Sequence, residues 1–152
     1  MNLTQKEINT LKDLQDNEKL CVEKYGKYSE RARDPELKSL FSSIQKEEQQ
    51  HYDSLEKVIN GTVPGANVND SRGKNYNPTK TYDNMSSTAD KDYDCFLATD
   101  TIGTEKMVSS DYNSDVFAFA DSDVRKLLAD IQVEEQNHAE MLYKYKQANC
   151  MN

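Results

Sequence analysis

Long apolar runs are missing from the sequence: no stretch approaches the roughly 20 consecutive apolar residues needed to span a bilayer, so no membrane partner is expected. The opening residues MNLTQKEINTLKDLQ lack a basic stretch followed by an apolar one, so no signal peptide is predicted and synthesis in the cytoplasm is expected. Cysteine is scarce: Cys21, Cys95 and Cys150 are far apart, odd in number and without a C-x-x-C pair. That spacing argues against a disulfide framework, an all-cysteine zinc site and a rubredoxin-type iron centre, and predicts free, mostly buried thiols. Positive charge is short as well, with Lys+Arg 19 against Asp+Glu 27 and a formal charge of -8. Nucleic-acid binding depends largely on Lys and Arg neutralising phosphates, so no nucleic-acid partner is expected. Hydrophobic residues make up 36% and aromatics 9%, so a core must be built economically and its pattern should be legible. The 152 residues suit one domain, expected over 1–152.

Gly, Pro, Asn and Ser concentrate in residues 61–87, which read as a crossover loop between two helical halves. Thr4 to Glu7 fits a capping box, Asp34-Pro35 an N-cap followed by proline at the first helical position, and Asn60-Gly61 a helix stop. Ser87 or Thr88, and then Asp121, can cap two further helices. The caps predict helices over about 5–33, 35–60, 88–120 and 122–148. Sliding the chain by 87 residues aligns 18–51 with 105–138 without a gap. Two similar hairpins joined by a long connection predict an all-α four-helix bundle.

Steps of three and four along each helix define its inward stripe. These are Leu11, Leu14, Glu18, Cys21, Tyr25, Tyr28 and Ala32, then Leu37, Phe41, Ile44, Glu48, His51, Leu55 and Val58. The second half gives Ala98, Thr101, Glu105, Val108, Tyr112, Asp115 and Phe119, then Val124, Leu128, Ile131, Glu135, His138, Leu142 and Tyr145. Four glutamates and both histidines of the chain therefore point inward, with no Lys or Arg on any stripe. Four ionised carboxylates buried without cations would be prohibitively costly, whereas two divalent ions balance them and the imidazoles add donor atoms. One Glu from each of two helices plus Glu-x-x-His from each of the others is a dinuclear carboxylate pattern. The candidate metal ligands are Glu18, Glu48, His51, Glu105, Glu135 and His138, with Glu48 and Glu135 bridging. Oxygen ligands with imidazole do not by themselves discriminate strongly among divalent metals.

Tyr25 and Tyr112 each lie seven residues after a candidate ligand and are expected either to orient carboxylates or simply to pack the core. Glu47 and Glu134, each four residues before its histidine, could also face the site but are read as flanking charges; Cys21 is read as core filling, and Asp115 as a mark of fraying rather than an acid supporting the site.

The paired Glu-x-x-x-x-x-x-Tyr and Glu-x-x-His elements resemble the ferritin-like superfamily. EKLCVEKYGKYSERARDPELKSLFSSIQKEEQQHYDSLEKVING, with residues 105–145, is similar to the spore coat protein F (Coat F) family. The resemblance implies a ferritin-like bundle in or near the spore coat, with the six matching residues as ligands of an iron or manganese centre. No counterpart of a rubrerythrin extra ligand, a rubredoxin tail or a ferritin fifth helix is found, so neither a storage cage nor a rubrerythrin electron chain is implied. Two functions follow as expectations. One is oxidase, peroxidase or catalase-type redox activity on oxygen or peroxide. The other is a structural coat component in which the metals are a staple, or the site is vestigial, and which packs with its own copies or other coat proteins. Tyrosines at 76, 82, 93, 143 and 145 would then serve contacts or cross-linking.

Overall fold

Thr4 opens the first helix through a reciprocal cap: its hydroxyl accepts from the Glu7 amide at 3.2 Å, and the Glu7 carboxylate accepts from the Thr4 amide at 2.7 Å. In the computed structural model, which describes residues 1–65, 71–83 and 86–152, this helix, α1, spans Gln5–Arg31. It stops short of the expected 33 because Ala32 is extended and the Arg33 and Asp34 amides turn to the Asp94 carboxylate at 2.8 Å each. Asp34 then caps α2 (Pro35–Ile59). Asn60 ends α2, and Gly61 takes the left-handed conformation, with φ 92°, that lets the Thr62 amide reach back to the Lys57 carbonyl.

The expected crossover over 61–87 lies partly outside the described residues, at 66–70 and 84–85. It is more than a loop: α3 (Arg72–Asn75) is a single turn docked on the bundle, where Asn137 accepts from the Gly73 amide at 2.9 Å. A side chain at Gly73 would meet the ends of the Glu140 and Asn137 side chains, which would have to shift to admit it. Further on, Asn149 accepts from the Thr81 and Tyr82 amides and Asp94 from the Tyr82 hydroxyl.

Thr88 caps α4 (Ala89–Asp115) and Asp121 caps α5 (Ser122–Ala148). Helix α4 was expected to run to 120. It gives way to a 3-10 turn at Val116–Ala118 and extended Phe119, and the Ala120 amide donates to Glu7 at 3.2 Å. Glu7 and Asp94 occupy corresponding places in the 87-residue repeat, so each hairpin's first helix holds the turn of the other hairpin.

Among the described residues the structure is all-α and 78% helical, a bundle of four long helices with the short α3. The inward stripes are buried as expected, except that Tyr28 and Asp115 are half-buried. Apolar layers above and below the middle, including Leu11, Leu14, Phe41, Leu97 and Leu128, sandwich the polar residues. Each fully buried large apolar side chain stabilises the bundle by about 1.5–3 kcal/mol, enough in sum to hold a costly polar layer at its centre.

Candidate metal centre

Glu18 on α1, Glu48 and His51 on α2, Glu105 on α4, and Glu135 and His138 on α5 meet at the centre of the bundle. A three-residue step carries a helix through nearly one turn, so each Glu-x-x-His pair presents both side chains to one spot. The donor atoms of Glu18, Glu48, His51 and Glu135 lie within 4.8 Å of one another, as do those of Glu48, Glu105, Glu135 and His138. Glu48 and Glu135 belong to both groups, and all six side chains are at most 4% exposed.

His51 Nδ1 stands 3.0 Å from both Glu48 and Glu135, and 3.7 Å from Glu18. His138 Nδ1 stands 3.4 Å from Glu48 and 3.5 Å from Glu105. In both rings the inward nitrogen is Nδ1, and the ring planes lie within 24° of each other. Six buried polar atoms are without a hydrogen-bond partner among the described residues: Glu18 Oε2, Glu48 Oε1, Glu105 Oε2, both Glu135 oxygens and His138 Nδ1. Every one belongs to this cluster. Buried polar groups are almost always paired, so six orphans converging on one spot, offering oxygen and imidazole nitrogen, make a donor set that fits divalent cations.

The electrostatics show the strain of the arrangement. Burial first, then the charge of Glu48, pushes Glu18 up to about 7. Burial with Glu48 and Glu105 nearby raises Glu135 well above the ordinary carboxylate range. Glu48 is pushed up by burial, but the two imidazoles, His138 foremost, bring it below that range. Burial pulls both histidines down, yet the surrounding carboxylates, Glu18 at His51 and Glu105 at His138, raise them well above their ordinary value.

Both tyrosines reach carboxylates across the bundle: Tyr25 donates to Glu105 and Tyr112 to Glu18. Each therefore fixes the glutamate of the opposite hairpin. Burial, then the adjoining glutamates, keeps both phenols protonated as donors.

Glu47 and Glu134 are not merely flanking charges. His51 Nε2 lies 2.5 Å from Glu134, and His138 Nε2 lies 2.6 Å from Glu47. Each outer carboxylate accepts from the other hairpin's histidine, leaving Nδ1 turned inward and holding the ring in one tautomer. Both sit four residues before their own histidine in a doubled Glu-Glu-x-x-His, the signal that singles them out. Which histidine each would meet depended on how the helices pack. Arg72 of α3, in contact with Glu47, carried no sequence signal.

Of the thiols, all free, only Cys21 is buried, against the expectation that most would be. It packs beside the cluster, where burial and the four glutamates push its thiol far up, so it acts as neutral core.

Comparison with known proteins places this geometry in context. Residues 93–149, which cover most of α4 and all of α5, match the family model of the Coat F domain. A two-domain protein of Anabaena variabilis containing DJ-1/ThiJ/PfpI-like and ferritin-like domains is similar over 95% of this chain, with a TM-score of 0.69 and 17% identity. The chain spans 37% of that protein's length. A protein of Xanthomonas campestris is similar over 93% of this chain and 89% of its own, with a TM-score of 0.52 and 18% identity. No curated protein matches significantly. The fold is ferritin-like, and the Coat F resemblance is borne out on the second hairpin.

Proposed function

We propose that the chain is a ferritin-like protein of the spore coat that binds two iron or manganese ions at this centre and carries out redox chemistry on oxygen or peroxide. The reading rests on one observation: two four-residue donor groups share Glu48 and Glu135, and every orphaned buried polar side-chain atom among the described residues lies in them. Glu48 and Glu135, common to both groups, would hold both ions, Glu18 and Glu105 would each hold one, and His51 and His138 would give one nitrogen to each. The metals would supply a redox couple and Lewis acidity for oxidase, peroxidase or catalase-type turnover. The chain's own residues set the conditions for it. Tyr25 and Tyr112 hold the terminal carboxylates, Glu134 and Glu47 hold the imidazoles, and the apolar layers exclude bulk water. The association with the coat rests on the Coat F match.

A second reading, a metal staple in a structural coat component, is favoured by the position of the six residues: they come from all four long helices, so bound metal would tie both hairpins together. Tyrosine cross-linking contributes less to it than expected, because Tyr145 is buried on Asp34 at 2.6 Å while Tyr76 and Tyr82 are half-buried and hydrogen-bonded. Tyr143 remains exposed for contacts with other copies or coat proteins.

The test is anaerobic reconstitution with iron and manganese in competition, followed by elemental analysis and a peroxide assay. About two metals per chain with turnover is the expected result. Two metals without turnover would favour the staple, and near-zero metal would overturn both readings.

A further inference from the structure

Helices α1 and α4 lie side by side and antiparallel: Asn17 donates to Asp111 at 2.9 Å, and Lys24 donates to Thr104 and Asp100 at 2.9 and 3.1 Å. Leu20 lies midway between Asn17 and Lys24, and Met107 midway between Thr104 and Asp111, so the two stand at one level of this face. They are counterparts in the 87-residue repeat, and they are 49% and 51% exposed. A lone exposed apolar side chain is ordinary, but here both halves of the repeat set one at the same place. Phe96 and Phe117, 62% and 87% exposed, lie eleven residues before Met107 and ten after it. Gly103, one turn before Met107, has nothing within 4 Å of where a side chain would begin. No contact inside the chain calls for glycine there, although it costs an exposed helix about 1 kcal/mol relative to alanine.

Charge divides this face at the level of Leu20 and Met107. On one side stand Asp13, Asp111 and Asp115, near enough to one another that burial, then Asp111 and Asp13, raise the Asp115 carboxyl. Among the described residues no Lys or Arg forms an ion pair with any of the three. On the other side stand Lys24, Lys27 and Arg31; Lys24 is matched by Asp100, while Lys27 and Arg31 have no ion pair among the described residues. Seven residues make nearly two whole turns, so Asp13, Leu20 and Lys27 fall on one line along α1, the acid and the base equally far from Leu20. A second copy laid on this face and turned end for end about that level sets Asp13 of each copy against Lys27 of the other. The same arrangement brings Phe96 to the level of the other copy's Phe117. Stacking with the copies in the same sense would put acid on acid. Two helices of 27 residues, each about 40 Å long and about 10 Å wide, offer about 800 Å², which is what one partner contributes to a stable interface. We propose that the face formed by α1 and α4 joins two copies of this chain end for end in a twofold dimer, with Leu20 and Met107 at its centre and Asp13 of each copy paired with Lys27 of the other. This assembly goes beyond the proposed function and does not depend on bound metal.

The experiment is sedimentation equilibrium of the full chain over a concentration series, with carbodiimide coupling of a mixture of ordinary and ¹⁵N-labelled protein. Wild type should be a dimer that weakens as salt rises. The double variant Leu20→Asp, Met107→Asp should be monomeric, with wild-type helix content because both side chains face solvent. Asp13→Lys should weaken the dimer at least about tenfold, since it sets two lysines against each other, and adding Lys27→Asp should restore it. Carbodiimide should join Asp13 of a heavy chain to Lys27 of a light one, identified by mass spectrometry. Within one chain the two are about 21 Å apart along α1, too far to couple, so this product reports on the dimer even where a variant folds poorly. A monomeric wild type would overturn the proposal, as would a dimer that survives both aspartates at the centre. Failure of the charge exchange to restore the dimer, or a dimer that yields no coupling of Asp13 to Lys27 between chains, would overturn the end-for-end arrangement.

Discussion

In the first hairpin the N-cap of the second helix, Asp34, is buried and accepts from the Tyr145 hydroxyl at 2.6 Å, while its counterpart Asp121 is half-buried and, among the described residues, its side chain bonds the amides of its own helix. At the middle of the bundle the same two hairpins are nearly interchangeable. Glu18 pairs with Tyr112 and Glu105 with Tyr25, and His51 meets Glu134 as His138 meets Glu47. The centre is a charge problem that both halves must solve together, because a buried carboxylate left by one half has to be balanced by the other. At the ends each turn is still held by the opposite hairpin, through Asp94 and Glu7, but no shared buried charge requires the two contacts to be alike, and there the two hairpins differ.

Four predictions press on this comparison, the largest first. Phe41 packs against Tyr25 and Tyr28, with ring centroids 5.7 and 5.9 Å away, and Leu128 is its counterpart. Denaturant unfolding of Phe41→Ala should show a loss of about 3–5 kcal/mol, and Leu128→Ala about 2–5 kcal/mol. If only one of them destabilised, the halves would not share a core.

Glu135→Ala and Glu48→Ala should abolish metal uptake equally, because each removes a donor common to both groups. At ligand levels near a thousand times Kd, the protein then forgoes about 4 kcal/mol of metal-linked stabilisation, read as the loss of a metal-dependent rise in melting temperature. Retention of metal by one variant alone would break the bridging symmetry.

Asp94 is fully buried and accepts from the Arg33 amide, the Asp34 amide and the Tyr82 hydroxyl, whereas its counterpart Glu7 is buried but keeps 7% of its surface exposed. Asp94→Ala should cost about 3 kcal/mol in thermal unfolding, and Glu7→Gln about 1 kcal/mol. The Thr4 amide first, then the Thr4 hydroxyl and the Ala120 amide, hold the Glu7 carboxyl below its ordinary 4.5. A depressed folded value means that the Glu7 contribution is complete above the unfolded value and is lost as pH falls through the folded one. Glu7→Gln should therefore flatten that part of the acid limb.

The smallest effect concerns the helix ends. Cys150 sits at φ 51°, the left-handed position that Gly61 occupies at φ 92° in the first hairpin. Cys150→Gly should stabilise by up to about 1 kcal/mol, and Gly61→Ala should destabilise by a similar amount.

Much of the molecule could be read from the sequence. The two Glu-x-x-His pairs and the caps at Thr4, Asp34 and Asp121 are local signals, and the repeat located Glu18 and Glu105 once those pairs were seen. Helix ends were less legible. Residues 32–33 and 116–120 have no breaker of their own, and they leave the helix because Asp94 and Glu7 on the opposite hairpin capture amides there. Most thiols were expected to be buried, yet Cys95 is half-buried and Cys150 exposed, because scarcity of a residue says little about which helix face it lands on. Glu47 and Glu134 were recognisable as ambiguous but not as histidine partners.

The sequence by itself determined the four long helices, the repeat, and a charge-dense layer of four glutamates and two histidines on faces that must be buried. Those follow from periodicity and capping, which act within one or two turns of chain. Only the tertiary structure decided which tyrosine reaches which glutamate, which outer carboxylate turns which imidazole, and that the crossover brings Arg72 near the outer carboxylates. Such pairings join residues 80 or more positions apart, or depend on where the crossover lies against α5. Helix packing sets them, and no local pattern carries that information.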